Sequence, residues 1–378
     1  MHSNRSLLLG LLLLAGLGSP ALKADSKFDP EDRSALFVTG TVGFQYDDNI
    51  FLRSHNVEGD CITTFTPGIE YAFGVNSLTE GTFSYKEALV CFSQETSQNS
   101  NLASIALNDT YDDGRTKGSV NASFNQYAQN SVYVREASSL VHTDVTDAAA
   151  QGEWRLSEKT AFAVGGAFDR TAYKQTGFVT YNQYSLPVDA YFGVTPKVDL
   201  SLDYRYRQNS LAGNYPSFQD NFLGVGARGD FTGKLSGRFD VGYTQRHSQS
   251  GSDQTLLGAD SSFTYLLTPK TSINAGVTND FSNTAIGTSE KDFSVTVGAR
   301  TDFEGGLSAS ALVTYRDLRF RRSAVEERDH YWDGTVGIGY QASKYVSFQA
   351  GYTLRSNSSN DPVGFTDNVF SVSGSVRF

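Results

Sequence analysis

Cysteine, methionine and proline are scarce, with 2, 1 and 8 residues among 378. Two cysteines exclude a disulfide-dense scaffold. No CxxC, HExxH or GxSxG motif offers a zinc site or an activated serine, so neither metal nor cofactor is expected. Long apolar runs are also missing. Beyond the first two dozen residues none reaches the ~20 residues of a membrane-spanning helix, and mean hydropathy is −0.33. No basic tract occurs, and a formal charge of −10 excludes a general nucleic-acid binder, whose affinity rests on Lys and Arg displacing phosphate counterions.

The chain is rich in glycine and aromatics, with 36 Gly, 20 Tyr and 26 Phe, a balance suited to strands. Its first residues carry Arg5, the apolar run "LLLGLLLLAGLG" and small residues at Ser19, Ala21 and Ala24, the order of a secretory signal. Residues 1–24 are read as that signal and 25–34 as a short periplasmic segment.

From residue 35 to 378 one unit repeats: an alternating strand of about ten residues, then a turn. Short turns such as "LSEKT", "VTPKV", "FTGKL", "LTPKT", "FEGGL" and "ASKYV" interleave with longer polar connections such as "DDNIFLRSHNVEGD", "AQNSVYVREASSLVH" and "RFRRSAVEERDH". This matches an all-β, antiparallel outer-membrane barrel of roughly eighteen strands, with short periplasmic turns and longer extracellular loops. A sandwich would divide a chain this long into domains; no linker or composition shift does so here. The closing stretch "NVFSVSGSVRF" places Phe370, Val372, Val376 and Phe378 on one parity. Pairing it with "ALFVTGTVGFQY" removes both sheet edges, as a membrane demands. The terminal Phe378 looks like the insertion signal read by the barrel-assembly machinery.

Lipid cannot hydrate ions, and Arg or Lys on the lipid face costs ~2–4 kcal/mol at the midplane. The ion-bearing parity is therefore assigned to the lumen, which places Asp203, Arg205, Arg228, Asp230, Arg238, Asp240, Arg300, Asp302 and Arg316 along a pore. Glu87 falls on the opposite parity, which implies either a position above the membrane or a register slip. Pro67 and Pro187 lie within strands and are expected at bulges or bends. Cys61 and Cys91 stand fifteen residues either side of Asn76 in the turn "GVNSLTE". A hairpin symmetric about Asn76 would set their Cα atoms ~4.5–5.5 Å apart, within reach of a disulfide.

The run Tyr46, Asp47, Asp48, Asn49, Ile50, Phe51 ends the first strand and resembles the putative beta-barrel porin 2 family. That resemblance implies a Gram-negative outer-membrane barrel, in some systems assigned to exopolysaccharide export, and supplies no catalytic residues. The residues themselves read first as a strand-to-loop turn, since Asp and Asn bond their own backbone; a calcium or sugar contact at the pore mouth is the sharper alternative. Three functions follow: a channel exporting exopolysaccharide, a passive porin for small hydrophilic solutes, or a rim hydrolase using a loop histidine such as His330 beside Asp329. Expected partners are outer-membrane lipid, lipopolysaccharide and, for an exporter, a periplasmic export protein. No connection looks long enough to fold inward, so a wide bore is expected.

Overall fold

The computed structural model describes residues 34–378 except 132–138, 250, 252, 323–324 and 361–363. The signal sequence and nearly all of segment 25–34 lie outside the described residues. From Ser34 the alternating segments form eighteen antiparallel strands. The first nine are β1 (Ser34–Asp47), β2 (Asp60–Phe73), β3 (Thr79–Phe92), β4 (Ser100–Asp112), β5 (Thr116–Ala128), β6 (His142–Arg155), β7 (Thr160–Tyr173), β8 (Tyr181–Thr195) and β9 (Val198–Leu211). The others are β10 (Phe218–Asp230), β11 (Leu235–Ser248), β12 (Gln254–Thr268), β13 (Thr271–Asn283), β14 (Ser289–Asp302), β15 (Leu307–Arg322), β16 (Val325–Gln341), β17 (Val346–Ser359) and β18 (Phe365–Arg377).

Each strand pairs with its sequence neighbours, and β1 closes the sheet on β18 through pairs such as Thr41 with Ser375 and Tyr46 with Phe370. Phe378 completes the seam: its N–H and carbonyl bond those of Val38 at 2.9 and 2.8 Å. Among the described residues no strand is left without a neighbour on either side, as a solvent without water demands. Outside, Leu36, Val38, Phe44, Phe370 and Val372 are exposed, as lipid-facing side chains must be. The Tyr345 and Phe378 rings stack at the short-turn end of the wall, where amphipathic rings favour the membrane interface.

Strands run 13 to 17 residues, longer than the hydrocarbon requires, so several extend into water. The clearest case is "RFRRSAVEERDH". It reads as a loop, yet nearly all of it is strand, with β15 and β16 joined across residues 323–324. Its charges pair on the outer parity, Arg319 and Arg328 both reaching Asp317 at 2.7 and 2.6 Å.

Neither proline makes a bulge. The β2–β3 ladder drops its pairs at Thr66 and Pro67 but keeps one register from Phe65–Leu89 to Gly68–Lys86. The β7–β8 ladder does the same around Pro187, because the missing N–H removes a bond without inserting a residue. Bulges occur instead near Gly193 and Leu266, at the short-turn ends. Glu87 thus stays on the outer face without a slip, its carboxylate accepting the Tyr85 hydroxyl at 2.9 Å.

The same register corrects the disulfide. The hairpin axis falls on Ser77 rather than Asn76, so Cys91 faces Thr63, and Cys61 instead accepts the Ser93 N–H at 3.0 Å. Both cysteines are free and exposed on the outer face. A two-residue diagonal separates them by ~7–8 Å, beyond disulfide reach. Denatured protein isolated without reductant is therefore expected to take up two alkyl groups by intact mass; uptake of none would restore the bond.

Candidate functional site

The ionic parity faces inward. Asp203, Arg205, Arg238 and Asp240 stand beside exposed Leu202, Tyr204, Phe239 and Val241, while Arg228, Asp230, Arg300, Asp302 and Arg316 hold the parity opposite exposed Val225, Val297 and Val313 of their strands. Two of them reach partners several strands away, and other pairs form within a strand or with the next one. Arg228 on β10 grips Glu153 on β6 with two bonds of 2.8 Å, and its guanidinium stacks on Tyr191. Arg205 on β9 reaches Asp280 on β13 at 2.6 Å. Arg238 pairs with Asp240 and Arg316 with Asp292, while Arg300 and Asp302 pair near the short-turn rim.

A denser cluster, missed in the sequence, sits where β9 to β14 approach the long-connection end. Asp220 is buried and bound by Arg246 at 2.6 Å and by Arg207 at 2.7 Å. Arg207 continues to Asp280 and to the Phe281 carbonyl. Arg246, 1% exposed, also donates to the Ser282 carbonyl and to Ser289 and lies between the rings of Phe218 and Phe281. Paired and fully bonded, these ions escape the penalty of isolated buried charge. Because β10, β11 and β12 stand between β9 and β13 in the wall, these bonds span the inside of that arc rather than follow a ladder. The signal was present: Arg207, Asp220 and Arg246 continue the inward parity of their strands.

The mouth departs most from expectation. Connection 48–59 folds into the barrel, placing Leu52 against Leu318, Tyr331 and Phe365 and Phe51 with Ile50 against Ile62, Phe92 and Leu140. Phe51 and Leu52 are 1% and 2% exposed, and burying each contributes about 1.5–3 kcal/mol. Leu52 adopts a left-handed backbone, φ 53°, strain of the kind held only where packing over-determines it. Other connections complete the layer. Asn130 donates to the Phe51 carbonyl at 3.0 Å, Leu140 N–H to Gln98 at 3.0 Å and Val179 N–H to the Ala285 carbonyl at 2.8 Å. Val141 and Ala285, from connections on different sides of the rim, pack together. The bore is narrowed here rather than wide.

The Tyr46–Phe51 motif explains how so short a segment turns inward. Tyr46 faces outward and Asp47 inward. Asn49, wholly buried, donates to the Arg53 and Thr366 carbonyls and accepts the Arg53 N–H, each at 2.9 Å. Asp47 caps the Asn49 N–H at 2.9 Å. Asp48 grips Asn368 through two bonds of 2.7 Å, tying the loop to β18. A side chain at Gly59 would meet the Asp47 carbonyl and Asp48 Cα at 3.0 Å, so glycine lets the loop's return leg pass this close without pushing that backbone aside. The turn reading of these residues is what the geometry shows. Arg355 and Asp367, not singled out from the sequence, join them: Arg355 pairs with Asp367 at 2.5 Å and Asp47 at 3.4 Å.

The histidines do not converge. His55 and His142 are exposed, and His247 pairs with Asp253. His330 faces outward and bonds the Tyr315 hydroxyl at 2.8 Å, whereas Asp329 is buried on the inner parity. Adjacent strand residues point to opposite faces, so the hydrolase pair is pulled apart.

A closed eighteen-stranded wall, apolar outside and ionic within, defines an outer-membrane β-barrel channel. The chain belongs to the Putative beta-barrel porin 2 family, whose model matches residues 39–378. It is similar in structure to OccAB4 of Acinetobacter baumannii, 13% identical at a TM-score of 0.48, with 93% of this chain and 100% of that one covered. It is also similar to Pseudomonas aeruginosa OccK2 (OpdF), solved in complex with glucuronate, 10% identical at a TM-score of 0.49, covering 91% and 98%. No curated protein sequence matches the chain.

Proposed function

We propose that the protein is a selective diffusion channel for small hydrophilic solutes that favours cations and neutral polyols over anions, and that it is not an enzyme. The acid excess of the lumen carries this reading. One interior recess is lined by Asp189, Asp203, Asp240, Asp260 and Asp280 against Arg205 and Arg238. Walls of one dominant sign focus counter-ions and repel like charge. Proteoliposomes should swell readily in small neutral sugars and more slowly in sugar acids of the same size. Equal rates for both would remove the charge preference, and no swelling at all would remove the channel.

Exopolysaccharide export is the second reading, favoured by neutral polar pairs set among the ions of the inner face. There Thr41 bonds Ser375, Ser104 bonds Asn125 and Thr335 bonds Thr353, hydroxyls and amides able to exchange partners with a sugar chain. It requires the layer at the mouth to move aside and a periplasmic export protein to deliver the polymer. A deletion strain would then hold polysaccharide in its periplasm; normal surface polysaccharide would leave the diffusion channel alone. Under either reading Phe378 serves the assembly machinery, and lipid with lipopolysaccharide surrounds the wall.

A further inference from the structure

We infer that Asp47, Asp48 and Asp367 form a binding site for a divalent cation of the calcium class, at the seam where the first and last strands meet beneath the inward-folded connection. One carboxylate oxygen from each lies within 4.8 Å of the others, a span that a cation with bonds of about 2.3–2.6 Å bridges. Carboxylates are the hard oxygen ligands such an ion takes. Charge agrees. Arg355 is the guanidinium paired with Asp47 and Asp367, and one guanidinium against three carboxylates leaves two negative charges.

A second, independent observation points to a missing ligand. Asp367 is 0% exposed, one of its oxygens is occupied by Arg355, and its Oδ1 has no hydrogen-bond partner. Leaving such an atom unsatisfied costs about 1–3 kcal/mol. On the neighbouring strand Asn357 is also buried with both amide atoms unpartnered, so the polar deficit is local. The other ligands are pre-positioned: Asp48 by Asn368, Asp47 by the Asn49 N–H. Ion binding here joins the root of the inward connection to β18, fixing the layer at the mouth.

The test uses the folded full-length barrel in detergent, stripped with chelator and titrated with calcium chloride by calorimetry, with thermal unfolding followed in parallel. Wild type should show saturable binding and a raised unfolding temperature. Asp367→Asn and Asp48→Asn should lose both while migrating as folded barrels; should Asp367→Asn fail to fold, half-exposed Asp48→Asn carries the comparison. No saturable heat in wild type, or unchanged binding in the variants because calcium sits elsewhere on the acidic lumen, overturns the site. Neither readout involves transport, so a barrel that fails to conduct still tests it.

Discussion

Replacing Ile50, Phe51 and Leu52 together by serine should raise single-channel conductance several-fold while leaving the barrel folded. These three residues supply the apolar contacts by which connection 48–59 crosses the mouth, and the wall does not depend on them, since its strands close through backbone ladders from β1 round to β18. Serine removes about 1.5–3 kcal/mol of burial per side chain and leaves Asn49, Asp47 and Asp48 to anchor the root. The loop then loses its reason to stay inside. Open-channel noise should rise with conductance, because a detached loop moves on the nanosecond-to-microsecond scale. Unchanged conductance in a folded variant would move the narrow point to the Arg207, Asp220 and Arg246 cluster.

That cluster should dominate stability. Arg246→Met is expected to lower it by about 3 kcal/mol, the lower end for breaking a buried pair, because Arg207 still faces Asp220. The midpoint of urea unfolding, read by the fluorescence of Trp154 and Trp332, measures this. Arg246→Lys should recover only part of the loss. Lysine keeps the charge, but cannot reproduce the paired bonds to Asp220 together with those to Ser282 and Ser289. Equal stability of Arg246→Met and wild type would mean that packing between Phe218 and Phe281, which methionine preserves, supplies the whole contribution.

Alternation made the wall legible. Where lipid meets one face and water the other, every second residue is constrained, and Leu202, Asp203, Tyr204, Arg205 could be assigned to faces by parity alone. The same reasoning placed Phe378 against the first strand. It weakened wherever both faces meet water. Residues 316–330 carry charges on both parities because the strands there rise above the membrane, so a long hairpin read as a loop. The cysteine register was lost by a smaller margin. Asn76 and Ser77 both serve a turn, and moving the axis by one residue displaces facing positions by two, which preserves parity while breaking the contact. The inward connection left a mark that was passed over: three consecutive apolar residues, Ile50 to Leu52, in an otherwise polar loop have no use in water. Where that loop goes depends on partners from β15, β16 and β18, hundreds of residues away in sequence, and no local pattern encodes them.

Reversal potential across a planar bilayer under a potassium chloride gradient tests the cation-preferring, loop-narrowed pore most directly. The folded full-length protein should carry current that reverses on the side set by potassium crossing faster than chloride. The serine variant at Ile50, Phe51 and Leu52 should conduct more and reverse on the same side, since the lumenal carboxylates are untouched. Reversal on the chloride side, or no current even from that variant, would contradict it.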